Sequence, residues 1–123
     1  MPLRLCVFAA AVACAVAGPA LAQGGPMSVG LPTDPKDISM HCAAAVATEL
    51  YLSEEGGKAS SFDKGKLGGG MVAWMEDAAA KHGTDFEGLT ENKVFLALAE
   101  NKAGNDVVRG HQVRWCLERT PTS

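Results

Sequence analysis

The stretch GNDVVRGHQVRWCLER, residues 104–119, brings His111, Trp115 and Cys116 within six positions. An imidazole beside a thiol is raw material for a nucleophilic pair, a zinc site or a haem ligand set. Each of these needs company. Zinc knuckles and C-x-x-C redox pairs need a second cysteine within a few residues, and Cys116 has none. Covalent catalysis needs a free thiolate, so what Cys116 is bonded to decides its chemistry.

The answer lies at the other end of the chain. MPLRLCVFAAAVACAVAGPALAQ has the form of a secretory signal: Arg4, an apolar run from Cys6 to Ala17, a Gly18-Pro19 break and an Ala20-Leu21-Ala22 cleavage motif. The run is too short for a spanning helix. Cleavage after Ala22 is expected, giving a periplasmic or secreted protein. Lipidation at Cys14 is disfavoured, because Ala11 stands where leucine is usual and a further apolar stretch follows. Cys6 and Cys14 leave with the signal; Cys42 and Cys116 remain. In an oxidising compartment an even pair forms a disulfide. Closing a loop of about 74 residues stabilises a fold by about 4–5 kcal/mol in the chain-entropy description. Cys116 is therefore expected to be a staple.

Soft ligands are the next candidates. The exported chain keeps Met27, Met40, Met71 and Met75 with His41, His82 and His111. Thioether and imidazole suit copper, and Met71 and Met75 at i,i+4 with His82 two turns on form the best soft-metal set. A methionine stripe at helical spacing is more often gap-filling core, so copper is kept only as the alternative reading. Met40 and His111 resemble the axial pair of four-helix b-type cytochromes, but helix geometry counts against haem. Met40 lies about 160° around its helix from Cys42, and in an antiparallel pair Met40 and His111 fall on opposite sides of the disulfide level. Glu49 fits His111 better. It is seven residues beyond Cys42 and within about 3 Å of the His111 level along the bundle. Glu49 and His111 are expected as a polar pair, structural in preference to functional.

Catalysis has little to work with. There is no strained serine elbow and no H-x-x-x-H pair. Glu54-Glu55 and Glu76-Asp77 are adjacent, and neighbours at i,i+1 do not share a helix face. No catalytic residue, cofactor or metal is assigned.

The elements that would hold these residues are helical. Residues 23–33, QGGPMSVGLPT, read as a flexible arm. Asp34 is an N-cap, Pro35 suits the first turn, and the helix that follows stops at Gly56-Gly57. Residues 56–70 hold six glycines and read as a flexible connection; the G-x-x-x-x-G-K-[ST] order of a phosphate loop is absent. A second helix is expected over 71–82, ended by Gly83, and Thr84-x-x-Glu87 has the form of a capping box. A third, with Thr90 as N-cap and Val94, Phe95 and Leu98 as its apolar face, stops at Gly104. Asn105 caps a fourth over 106–119, whose stripe of Val107, Val108, His111 and Trp115 should face the core. Val108, Trp115 and Cys116 are expected to be buried, with Arg109 and Arg114 in solvent. On helix one a second stripe, Met40, Ala44, Ala47 and Tyr51, is either buried or an interface.

Removing Arg4 from 11 Lys and Arg leaves 10 against 14 Asp and Glu, a formal net charge of −4. With no basic stripe and one Tyr, nucleic-acid binding is disfavoured, and no run after the signal is long enough to span a membrane. The expected fold is all-α. Residues 34–120 form one domain, a small four-helix bundle (or three helices plus an arm) stapled by one disulfide. Such a chain suits presenting a surface to an envelope protein, as an inhibitor, immunity factor or accessory subunit.

Overall fold

The computed structural model describes residues 24–122. The segment expected to be a secretory signal, with Cys6 and Cys14, lies outside the described residues. Within them a 3-10 turn at Pro26–Val29 precedes five helices: α1 Pro35–Glu54, α2 Lys64–Lys81, the short α3 Phe86–Thr90, α4 Lys93–Ala103 and α5 Asp106–Glu118. The chain is all-α, with the four longer helices packed in a bundle-like arrangement and one disulfide.

Helix α1 starts as its sequence demands. The Asp34 carboxylate accepts from Lys36 N at 2.9 Å, and Pro35 fills a position whose N–H would have no partner anyway. The helix packs against α2, α4 and α5 and is the central element. Ala43, Ala44 and Ala45 point about 100° apart, so they face three directions. All three are fully buried, which requires neighbours on every side. Their short side chains let those neighbours come close.

Helix α2 begins seven residues earlier than Met71, inside the stretch expected to be a connection. Asp63 is its cap, accepting from Lys66 N at 2.9 Å. Each helical glycine costs about 1 kcal/mol relative to alanine, so the packing of α2 along α1 has overridden local preference. One of the glycines sits at a close approach. A Cβ on Gly70 would come within 2.5 Å of Leu117 Cδ2, where α5 crosses. Gly83, at φ +70°, ends α2 as expected, with Thr84 N bonded back to Ala79 O at 2.9 Å.

The next two caps differ from expectation. Asp85 caps α3 by accepting from Gly88 N at 2.7 Å, while Thr84 belongs to the end of α2. Thr90 closes α3, and Asn92 caps α4 by accepting from Val94 N at 2.8 Å and Phe95 N at 3.1 Å. Carboxylate and amide oxygens win over hydroxyls at both places. On α4 the buried face contains Phe95, whereas Val94 is exposed. Asn105 caps α5 as expected.

Residues 24–33 are docked where a flexible arm was expected. Trp115 donates Nε1–H to Gly24 O at 3.0 Å, Gln112 Nε2 donates to Val29 O at 3.2 Å, and Leu31 is buried. Gly30 makes the turn at φ +82°, a conformation glycine adopts without strain.

Candidate functional site

Cys42 and Cys116 are bonded, with Cα atoms 5.6 Å apart and both side chains sealed from solvent. Trp74 of α2 donates Nε1–H to the Cys116 carbonyl at 2.9 Å, so three helices meet at the staple.

The staple also sets the face that α5 turns inward. Arg109, Gln112, Val113 and Cys116 are buried, a stripe at i, i+3, i+4 and i+7. This is the expected stripe turned by one residue, about 100°. Val108 is therefore exposed, Trp115 half-buried and His111 exposed, while Arg109 is buried; Arg114 is exposed as expected. Hydrophobicity alone pointed to the valines. Cys116 has to face α1, and stepping back three, four and seven residues from it reaches Val113, Gln112 and Arg109, the residues actually buried.

Glu49 and His111 do not meet. Glu49 Oε1 accepts from Arg109 Nε at 2.8 Å and Oε2 from Ser60 Oγ at 2.6 Å. The His111 imidazole has no hydrogen-bond partner among the described residues. The reason is angular: residues 109 and 111 are about 200° apart on one helix, so only one of them can face α1. Burial alone would lower the Arg109 pKa, but its bonds to Glu49 and Asp106 outweigh that and raise it. Asp106, bonded to Lys58 and Arg109, is held below the usual carboxylate range.

A second cation lies inside. Lys102 of α4 is buried, its ammonium 2.6 Å from Gln112 Oε1 and 3.1 Å from His41 Nδ1. Burial lowers its pKa to about 8. His41 is lowered as well, by burial first and then by the Lys102 charge, against an opposing effect of Asp37. Gln112 passes the connection on to the Val29 and Gly30 carbonyls, and Arg109 Nη1 donates to Lys102 O at 2.9 Å. The network ties α1, α4, α5 and the N-terminal segment together. The bundle uses polar groups where a larger one would use leucines.

Ser39, unremarked in the sequence, joins α1 to α2. Its hydroxyl donates to Asp77 Oδ2 and lies 3.2 Å from Lys81 Nζ, and Lys81 bonds Asp77 at 2.8 Å. Burial tends to raise the Asp77 pKa, but the bonds from Lys81 and Ser39 outweigh it and lower the value. Serine, lysine and aspartate together suggest a nucleophile. Ser39 has no exposure, so no substrate reaches its oxygen, and the cluster is an interhelical tie.

Among the soft ligands, Met75 is core and Met71 half-buried, and His82 Nε2 lies 3.0 Å from the Lys36 carbonyl oxygen. Met40 is buried in the core. Among the described residues, no group of three or more His, Cys, Asp or Glu is arranged to hold a metal.

An outward-facing valley of about 310 Å³ lies between α1 and α4. Ala47, Tyr51 and Leu52 form one wall, Phe95, Ala99 and Ala103 the other. Thr48 lies on the floor, donating its hydroxyl to Ala99 O at 3.4 Å, and Glu100 is the one charged residue of the lining. The valley exists because three alanines are too short to fill the space between the helices. The second stripe of α1 thus divides: Met40 and Ala44 are buried, Ala47 is half-buried, and Tyr51 is 61% exposed at the valley edge. No helix among the described residues is long and apolar enough to cross a membrane. Comparison with known proteins finds no matching family, no matching curated protein and no matching solved structure.

Proposed function

We propose that this chain is an exported, non-catalytic protein-interaction module of the cell envelope, of the inhibitor, immunity or accessory type, with the α1–α4 valley as its contact face. The observation that carries this reading is an apolar cleft with one charged lining residue, edged by an exposed tyrosine, on a small acidic protein. Tyrosine supplies contact area at low entropic cost and is enriched at protein interfaces. The polar groups of the interior are engaged with one another, which supports a scaffolding role for them.

The test is capture from an envelope extract by the mature chain, by Tyr51→Asp, and by Val107→Asp as an exposed control outside the valley. A stoichiometric partner held by wild type and the control but lost from Tyr51→Asp is the expected result. Equal capture by all three, or no stoichiometric partner, overturns the reading.

A further inference from the structure

Resting on the valley as the contact face, we propose that its occupant is a cationic amphipathic helix of the partner protein. Shape argues for a helix. The valley lies between two helices and is bounded by residues 47–52 on one side and 95–103 on the other, up to about 12 Å of helix. Two or three turns of a third helix, presenting apolar residues at i, i+3/i+4 and i+7, would lie along it as ridges lie in grooves.

Charge argues for cations. The last turn of α1 carries no basic residue; it ends in Glu54 with Glu55 as its cap. A helix C-terminus is already negative, so these carboxylates add to the end charge instead of offsetting it. Helices α2 and α4 have Lys81 and Lys102 in their last turns, whereas α5, like α1, ends in a glutamate with no basic residue there. Glu54 and Glu55 follow Tyr51 at i+3 and i+4, just beyond the α1 wall and outside the lining itself; Glu100 stands in the opposite wall. None of the three has an ion-pair or hydrogen-bond partner for its side chain among the described residues. Lys58, close to that end through its backbone bond to Leu52 O at 3.0 Å, is committed to Asp106. An apolar trough with an unneutralised acidic end suits lysines or arginines flanking an apolar stripe. It disfavours an anionic lipid surface, and it disfavours a second acidic copy of this chain docked with its own Glu100 opposite.

The probes are three peptides of about 14 residues, about 20 Å as helices: an amphipathic Leu/Lys helix, the same pattern with Glu for Lys, and a scrambled Leu/Lys sequence. Binding to the mature chain is measured by fluorescence anisotropy and mapped by NMR shifts. The Leu/Lys helix is expected to bind at least tenfold tighter than either control, with shifts at Tyr51, Ala99 and Ala103. Glu54→Gln/Glu55→Gln/Glu100→Gln, three substitutions of exposed carboxylates, should weaken it about tenfold. Equal binding of the acidic helix, unchanged binding by the triple variant, or shifts confined to other faces overturns the proposal. Self-association, or binding to anionic vesicles in preference to the peptide, would do the same. If Tyr51→Asp abolishes capture of an envelope partner while the Leu/Lys helix does not bind, the contact face stands and the cationic occupant falls. If Tyr51→Asp leaves capture intact, the contact face itself falls.

Discussion

Glu49 and Arg109 meet one heptad away from the disulfide, seven residues after Cys42 in α1 and seven before Cys116 in α5, with Oε1 and Nε 2.8 Å apart. In antiparallel helices, equal steps in opposite chain directions climb the same distance, here about 10.5 Å, and two turns bring both side chains back to nearly the same face. Staple and ion pair are two rungs of one ladder between the same two helices. The covalent rung sets the register, and that register brings a guanidinium to a carboxylate inside the bundle.

Breaking the upper rung leaves the buried Arg109 guanidinium with the exposed Asp106 as its remaining counter-ion, in a pair whose side chains are 5% and 9% exposed. Glu49→Gln is expected to lower stability by about 2 kcal/mol in urea denaturation, since one partner of the guanidinium remains. Replacing both residues by methionine should cost much less, since it removes the buried charges together. His111→Ala should change stability by less than about 0.5 kcal/mol. A comparable loss in His111→Ala would mean that the imidazole has an interior role the geometry denies it.

The lower rung makes its own prediction. Alkylation of the oxidised mature chain without reductant should label no thiol. Cys42→Ser/Cys116→Ser should lower stability by about 4 kcal/mol, a large share of the roughly 5–15 kcal/mol typical of a domain. Two labelled thiols in the native protein would contradict the bond.

The glycines of α2 should separate by position. Nothing lies within 4 Å of a Cβ built at Gly68 or Gly69, so alanine there should raise stability by about 0.5–1 kcal/mol each through helix propensity. Gly70→Ala should gain nothing or lose, because Leu117 must move aside. Thermal melts of the three single variants decide this. Equal effects at all three would mean that α5 does not cross α2 at Gly70.

Those glycines also mark where sequence reading stopped. Helix ends governed by local chemistry were legible: Asp34 and Pro35, Gly83, Gly104 and Asn105 all act within one turn. The start of α2 was not, since the four glycines of residues 64–70 read as a connection and only packing against α1 makes them helical. The inward face of α5 was misread for a different reason. Its buried stripe is half polar, so the most apolar stripe lies one residue away from the face that Cys116 determines. The valley could not be read at all. It lies between α1 and α4, which are not neighbours in the chain, and it consists of side chains that are missing.

The buried Lys102–His41 contact predicts two windows of pH dependence. Lys102 has a folded pKa of about 8, below the ordinary value of 10.5, so between those values the unfolded chain holds more protons. Stability must then rise as pH increases from about 8 to 10.5, by up to about 3 kcal/mol at about 1.4 kcal/mol per pKa unit. Below pH 8 the contribution is flat at its lowest level. His41 is also lowered from 6.5, so stability present above that pH is lost as pH falls through the lower folded value. There a charged imidazole would face the Lys102 ammonium, with Asp37 the opposing charge. Urea denaturation across pH 4–10.5 measures both windows. Lys102→Met should flatten the alkaline rise and soften the acidic fall, because it removes the cation that His41 meets. His41→Gln should abolish the His41 part of the acidic fall and leave the alkaline rise in place. An alkaline rise that survives in Lys102→Met would assign it to another group and leave Lys102 an ordinary lysine.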